Sequence, residues 1–163
     1  MSRESLQQQL KKLDVKKLKL SNGKSVEDEL KRHARILADC IMDELDQIYD
    51  SYEPKMYHRS YDLYNALDVD QTVNVNVSAS GAQLSIGLYF DDGAMHRSFD
   101  GEMVNTAWLI NDGWQTHGRF ANVPYLGYRS ATNIVEKGIE RYKRSVRNPF
   151  PVKLTKGTEV TYF

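Results

Sequence analysis

The residues with the greatest potential for chemistry are one cysteine and four histidines: Cys40, His33, His58, His96 and His117. A histidine beside a thiol can activate a nucleophile, and two histidines one helical turn apart can bind zinc. No two of these histidines have metal-ligand spacing on one helix. Cys40 follows His33 by about two helical turns, which is too far for a hydrogen bond between the side chains. The sequence therefore predicts neither a cysteine nucleophile nor a histidine metal site.

Acidic residues suggest metal binding at two other places, and the local pattern argues against both. His96 lies close in sequence to Asp91 and Asp92, but Asp-Asp-Gly is far more often a turn than part of a metal site. Asp68-Val69-Asp70 begins like a calcium loop and lacks the glycine and the terminal glutamate of such a loop. There is no Walker loop, dinucleotide fingerprint or nucleophile elbow. We expect no cofactor, no metal and no enzymatic activity.

Two basic segments carry residues that can bind phosphate. Lys16, Lys17 and Lys19 crowd the N-terminal region, and residues 141–147 hold four cations around Tyr142. Against nucleic-acid binding, the formal net charge is zero, and no helix-turn-helix, zinc finger or aromatic RNA-binding sheet motif is evident. A small nucleic-acid-associated protein that uses its basic C-terminal helix is therefore the alternative hypothesis. Passive, non-specific contact with DNA inside a larger assembly agrees better with the net charge.

Length and composition indicate one soluble domain. The chain has 163 residues, of which 27% are charged and 40% hydrophobic, enough for one core and too short for two comfortable ones. A single cysteine excludes an internal disulfide, and Cys40 fits a small buried apolar position. No window approaches a membrane span, and no hydrophobic signal core precedes the first helix. We expect no membrane contact and synthesis in a reducing cytoplasm.

Charge is divided into blocks along the chain. Residues 1–24 sum to +5, residues 25–60 to −4, residues 61–113 to −7 and residues 114–163 to +6. A neutral protein with acidic and basic regions suits head-to-tail contact with copies of itself, or different partners at two ends. The other interpretation is that the blocks mix once the chain folds.

The first half of the chain predicts two helices. Leu6, Leu10 and Leu13 give residues 2–20 helical spacing, ending at Ser21-Asn22-Gly23. This helix is either a basic arm that docks on a neighbour or a partly frayed terminus. Residues 25–52 then form the clearest element, with Ser25 and Asp28 resembling a capping box. Its apolar stripe recurs at steps of three and four: Leu30, Ala34, Leu37, Ile41, Leu45, Ile48 and Tyr52.

The period then changes to two, which predicts a β-hairpin. Val73, Val75 and Val77 alternate with polar residues, among them Asn74 and Asn76, to give a strand with one polar face. Ala79-Ser80-Gly81-Ala82 reads as the connection, and Leu84, Ile86, Leu88 and Phe90 alternate in one returning strand. Asparagine is unusual in strands, so the polar face is either solvated or in contact with another subunit.

The second half predicts a short helix within a long loop and then a final helix. The loop covers residues 91–101, and the short helix covers residues 102–112 with Met103, Ala107 and Ile110 on one side. Residues 113–123 are loop-like, anchored by Trp114 and Phe120. Pro124-Tyr125-Leu126 introduces a helix over residues 128–146, with basic residues at its end. Residues 159–163 form a last strand or an extended tail.

These elements define an α+β fold, in which a long N-terminal helix and a C-terminal helix pack on an antiparallel β-sheet. We assign residues 1–24 to a basic N-terminal arm or helix, residues 25–148 to a single α+β domain, and residues 149–163 to a C-terminal extension or strand.

The tyrosine-rich residues 57–67 lie between the long helix and the first strand, where the aromatic side chains must pack on the domain or on a neighbour. This segment resembles a motif of the phage putative tail-component family, the neck or tail-completion proteins of long-tailed phages. Ser60 takes the family's Thr position, Leu63 its Leu, Ala66 its Ser and Leu67 its Ile, whereas Tyr61 replaces its usual Gly. Pro124-Tyr125-Leu126 is similar to the stretch that opens the family's last helix.

The resemblance implies a non-enzymatic building block of the virion's head–tail junction that assembles as a homo-oligomeric ring, six-fold or a multiple. Its partners would be neighbouring neck, connector or tail-tube proteins, with possible non-specific contact with packaged DNA. A regulatory or host-directed phage protein that shares the fold is a further hypothesis. Leu63 and Leu67 are expected to face the core. The candidate interface residues are Tyr57, Tyr61, Tyr64, Asn74, Asn76, Trp114, Phe120, Arg141 and Arg144.

Overall fold

A computed structural model describes residues 14–51, 62–78, 81–97, 101–115, 122 and 128–155 of the chain. Within them the fold is α+β, as predicted, with a long helix near the N-terminus, a C-terminal helix and small antiparallel sheets. The helices are α1 (Val26–Asp50), α2 (Asp62–Asn65), α3 (Thr106–Asp112) and α4 (Ile134–Ser145). The strands are β1 (Leu67–Val69), β2 (Asn74–Ser78), β3 (Gly81–Ser85), β4 (Leu88–Phe90), β5 (Met95–Arg97), β6 (Met103–Asn105), β7 (Trp114–Gln115) and β8 (Tyr128–Arg129).

Helix α1 forms where the periodicity places it. The Oγ of Ser25 accepts a hydrogen bond from the backbone N–H of Asp28 at 3.3 Å, which satisfies one of the free donors of the first turn. Three acidic residues in that turn add a favourable interaction with the helix dipole. The stripe of apolar residues faces inward, with Ala34, Leu37, Ile41 and Leu45 buried, and Cys40 is buried next to it.

The predicted helix over residues 2–20 is wrong where the structure describes it. Residues 1–13 lie outside the description, and Val15–Lys17 form a single 3-10 turn. Lys19 then pairs with Ser25 in an isolated antiparallel bridge around the expected turn, where Gly23 has a φ of 80°. The chain runs back along the start of α1, since the N–H of Val26 donates to the carbonyl of Leu18 at 3.0 Å.

The predicted hairpin is present as β2–β3, but its returning strand is divided. β3 pairs with β2 from Ser78↔Gly81 to Asn74↔Ser85, and β4 leaves to pair with β1. Asp70 makes the division, because its Oδ2 accepts the N–H of Gly87 at 2.9 Å and its own N–H donates to the carbonyl of Gly87 at 3.0 Å. The described strands form four two-stranded ladders, β1–β4, β2–β3, β5–β6 and β7–β8, instead of one sheet.

The predicted loop and short helix before residue 113 need correction. β5 and β6 pair within the stretch assigned to the loop and the start of the helix. The helix begins at Thr106 because Asn105 caps it, with Oδ1 accepting from the N–H of Ala107 at 3.0 Å and of Trp108 at 3.3 Å. Ala107 and Ile110 are buried as expected. Met103 lies instead on a strand and is 53% exposed.

The C-terminal helix begins six residues later than predicted. Tyr128 and Arg129 form β8 against β7, so Trp114 lies in a strand and not in a loop. Asn133 has a left-handed φ of 52°, which a continuous helix cannot contain. The side chain of Asn111, itself fully buried, caps α4 from α3 by accepting the N–H of Val135 at 2.9 Å. Gly113 has a φ of 74° and lies against the backbone of residues 129–131, where a side chain has no space.

The core lies between α1 and α4 and extends beneath β1, β4 and α3. Its fully buried side chains include Leu45, Ile134 and Tyr142, with Leu63 and Ala66 closing one end. The two helices cross closely at Gly138. A Cβ on Gly138 would lie 2.5 Å from Cγ1 and 2.8 Å from Cα of Ile41. The absence of a side chain there lets the two helix backbones meet.

Replacing Gly138 with alanine should destabilise the protein by about 1–2 kcal/mol. Overpacking typically costs about 1–3 kcal/mol, and the higher helix propensity of alanine returns up to about 1 kcal/mol. Urea unfolding monitored by circular dichroism measures the free energy of unfolding. Lys137→Ala, at an exposed neighbouring position, is the control and should change it by less than about 0.5 kcal/mol. A Gly138→Ala protein as stable as the control would contradict the close crossing.

Candidate functional site

A buried polar group, His33 on α1, has partners on both of its ring nitrogens. Its ring is buried against α4 and the residues that follow it. Nδ1 lies 2.7 Å from the Tyr142 hydroxyl oxygen, and Nε2 lies 3.0 Å from Nη2 of Arg32. The Phe150 ring packs on the imidazole with centroids 4.5 Å apart, and the Phe150 N–H donates to the Tyr142 oxygen at 2.9 Å. These contacts attach the segment after α4 to α1.

The contacts of His33 determine which ring nitrogen carries the proton. A guanidinium only donates hydrogen bonds, so Nε2 of His33 must accept from Arg32. The proton of the neutral ring is then on Nδ1, which donates to the Tyr142 oxygen. That oxygen also accepts from the Phe150 N–H. His33 therefore serves as a structural link between two helices and the C-terminal segment.

Burial keeps His33 neutral. Desolvation lowers the pKa of His33 below its ordinary value of 6.5, and the nearby Arg32 charge lowers it further, although Glu29 opposes both effects. Glu29 also accepts two hydrogen bonds from Arg32, at 2.8 Å and 3.1 Å, and these lower its own pKa. A protonated His33 would turn an Nε2–H toward the Arg32 donor and lose that hydrogen bond.

Cys40 is a packing residue in this arrangement. Its side chain is 6% exposed within the core, and burial raises the pKa of the Cys40 thiol. The thiol is therefore protonated at neutral pH, and a protonated, buried thiol is a poor nucleophile. His33 bonds to Tyr142 and Arg32, and Cys40 packs in the core.

Arg141, a candidate interface residue, is engaged inside the chain. Its Nε and Nη2 donate to Oε1 of Glu44 on α1, at 2.9 Å and 2.5 Å, and Nη1 lies 3.5 Å from Asp43. This pair bridges α1 and α4 and joins the basic C-terminal block to the acidic helix. Arg144 is exposed and contacts only its own helix among the described residues, through a hydrogen bond from Nε to the carbonyl of Glu140 at 3.3 Å and a long ion pair to the Glu140 carboxylate at 3.8 Å. Of the two arginines, Arg144 is the one that presents its charge to solvent.

Tyr64, another candidate interface residue, also has internal partners. Its hydroxyl donates a short hydrogen bond to Asp46, and its ring stacks on Tyr49 of α1 with centroids 6.4 Å apart. The bond to Asp46 and burial raise the pKa of Tyr64 to about 12. The half-buried ring therefore fixes α2 to α1. Leu63 is 4% exposed and Leu67 packs against the core, as expected.

The remaining described candidates lie on strands. Asn74 is half-buried and Asn76 is exposed, on the polar face of the β2–β3 hairpin. Trp114 is half-buried beneath the Arg129 guanidinium, whose central carbon lies 5.7 Å from the ring centroid. The other predicted residues lie outside the described part of the chain: Tyr57, Ser60, Tyr61, Phe120, Pro124, Tyr125 and Leu126.

The two acidic segments act as local structure. Asp91 caps a 3-10 turn by accepting the N–H of Gly93 at 2.8 Å, and Asp70 fixes the turn at Gly87. Over the described residues, no group of three or more His, Cys, Asp and Glu side chains is placed to hold a metal ion. No helix in the described part of the chain is long and apolar enough to cross a membrane.

A polar cleft of about 320 Å³, which the sequence did not predict, separates α1 from β1. Lys31 and Arg35 line one side, and Asp68 and Asp70 line the other. The cleft carries both signs of charge, and Lys31 and Asp70 already have partners in Glu27 and Gly87. Because charges of both signs line it, the cleft does not favour a cationic or an anionic ligand.

Comparison of the chain with protein-family models, with curated proteins and with solved structures finds no match.

Acidification should destabilise the protein through His33. Because its pKa is lower in the folded state, the unfolded chain takes up a proton first, and the free energy of unfolding falls as pH drops below about 6.5. The contribution of His33 is complete above that pH and is lost progressively toward the folded-state pKa. Urea unfolding at a series of pH values between about 5 and 8 measures the slope.

His33→Asn is the matched variant for this experiment, since an amide can donate to Tyr142 and does not titrate. It should be less stable at neutral pH because the ring contact with Phe150 is lost, and its slope between about pH 5 and 6.5 should be smaller than that of the wild type. Equal slopes in the two proteins would show that His33 is not the group responsible.

Proposed function

We propose that this protein is a non-enzymatic structural subunit of a phage virion that assembles as a ring at the head–tail junction and joins head to tail. Its partners in that role are further copies of itself and neighbouring neck, connector or tail-tube proteins. Non-specific contact with the DNA that passes through the ring is compatible with the role.

The observation that carries the proposal is the segment between α1 and the first strand. Leu63 lies in the core on α2, and Leu67 opens β1 and packs against the same core. A long helix, the segment with Leu63 and Leu67, and then a hairpin follow one another in the order that the tail-component resemblance implies. Pro124-Tyr125-Leu126 carries less weight, because α4 begins at Ile134.

The distribution of charge along the sequence is a second, independent support. The regions before and after residue 113 differ in net charge by sign, −7 for residues 61–113 and +6 for residues 114–163. A ring uses two different surfaces on every subunit, one for each neighbour. Surfaces of opposite charge favour such head-to-tail contact over the pairing of identical faces.

Removal of the gene from a virion-producing genome should leave DNA-filled heads and separate tails in electron micrographs, because the joint between them is missing. Supplying the intact gene in trans should restore joined particles. The purified protein should form rings whose mass by light scattering is a multiple of 18.8 kDa. Joined virions without the protein, or a protein that stays monomeric at high concentration and binds no virion component, would contradict the proposal.

The basic end of α4 favours one second candidate, a nucleic-acid-associated protein. Lys143 and Arg144 are exposed in the last turn of α4 and Arg147 is exposed just beyond it, where the helix dipole concentrates negative potential and the cations partly offset it. Arg141 does not belong to this patch because Glu44 binds it. Three cations close together can contact phosphates without reading sequence.

Replacing Lys143, Arg144 and Arg147 with glutamine should test this candidate. If the patch binds phosphate, duplex DNA binding weakens equally for all sequences, and the salt dependence of log K decreases by about 2–3. Arg35→Gln with Arg97→Gln removes exposed cations elsewhere and is the control. Unchanged retention on DNA, or none in the wild type, would exclude α4 as a DNA-binding surface.

A further inference from the structure

The described side chains of the β2–β3 hairpin lie outside the hydrophobic core. Apart from Val77, whose side chain the structure does not describe, no residue of either strand is in the core cluster or among the side chains that pack against it. Val75 is 38% exposed on one face, and Asn76 and Gln83 are exposed on the other. An isolated two-stranded hairpin is marginally stable in water, so this hairpin lacks the support that a partner would supply.

The hairpin also lacks the usual protection of a sheet edge. Natural edge strands avoid pairing with other chains by means of charged residues, proline or bulges. Residues 71–90 contain no charged residue and no proline, although 27% of the chain is charged. The register between β2 and β3 runs through five successive pairs without a bulge. Within the described residues, β2 and β3 have only each other as ladder partners, so each has an open edge.

We infer that this hairpin is an interface in which the open edge of β2 in one copy adds to the open edge of β3 in the next copy. This inference rests on the proposed ring for its head-to-tail order. The joint would be antiparallel and would continue the pairing inside the hairpin, where Asn76 lies opposite Gln83 and Val75 lies opposite Leu84. Repeated around the ring, the hairpins would form one continuous sheet.

The side chains favour a second copy as the occupant. Side-chain amides both donate and accept hydrogen bonds, so the face with Asn74, Asn76 and Gln83 can bond to the same set of residues in another copy. A charged face would repel its own copy, and this face has no charge in any register. On the opposite face of the sheet, Val75 of one copy would be buried against Leu84 of the next copy.

Two double variants with the same number of added charges test the joint. In Asn76→Lys with Gln83→Lys, each joint places like charges opposite each other, and self-association should weaken at least about 100-fold, since such a juxtaposition costs several kcal/mol. In Asn76→Glu with Gln83→Lys, the charges are opposite at the joint, and the wild-type oligomer should persist. Gln47→Lys with Gln115→Lys adds two cations at exposed sites elsewhere and should also leave it unchanged.

Sedimentation equilibrium gives the association constants. Because Asn76 and Gln83 also lie opposite each other within one hairpin, circular dichroism verifies the helices of each variant and cross-strand NMR contacts between Val75 and Leu84 verify that the hairpin is intact. Hydrogen exchange supplies a second measurement: the amides of β2 and β3 should gain protection only at concentrations where the oligomer forms. A lysine pair that leaves association unchanged would overturn this inference while the ring proposal stands, with another surface responsible. A monomeric wild type overturns the inference directly, whatever the hydrogen-exchange protection of its hairpin amides. The gene-removal experiment then judges the head–tail role separately.

Discussion

The close crossing of α1 and α4 is the constraint on which the other elements depend. Gly138 brings the two helix backbones into contact at Ile41, and two polar links, on either side of Ile41 along α1, hold the crossing. His33 binds Tyr142 toward the end of α4, and Arg141 binds Glu44. Helix α3 fixes the start of α4 through Asn111, while the C-terminal segment is held through Tyr142. A change in this crossing would therefore move α3 and the segment after α4 together.

The sequence predicts the two main helices well, because apolar residues at steps of three and four need only local information. It predicts the beginning of α4 wrongly, since Tyr128 and Ala131 fit the helical spacing equally well. What excludes them from the helix is non-local: residue 129 pairs with residue 114, and Gly113 approaches the backbone of residues 129–131. The division of the returning strand has the same origin, because Asp70 contacts Gly87 across the ladder.

The candidate site shows a similar limit of prediction. Tyr64 and Arg141 have the residue types of interface anchors, but their hydrogen-bond partners lie 18 and 97 residues away in the same chain. A tyrosine or arginine in a sequence indicates that a partner is needed, and says nothing about whether that partner is in the same molecule. Local alternation did predict the polar face of β2 with Asn74 and Asn76, because the period of a strand is a local property.

Internal pairing of Tyr64 and Arg141 changes where intermolecular contacts have to be sought. The hydrogen bonds and ion pairs of these side chains hold α1, α2 and α4 together. The uncharged hairpin and the exposed cations of α4 remain at the surface. In the proposed ring, the interactions of these two kinds of surface would act over different distances. Charged regions act over about 8 Å at physiological salt and orient subunits before contact. Backbone hydrogen bonds along a strand edge act only in contact and depend little on salt, so the charges would select the neighbour and the hairpin would hold it.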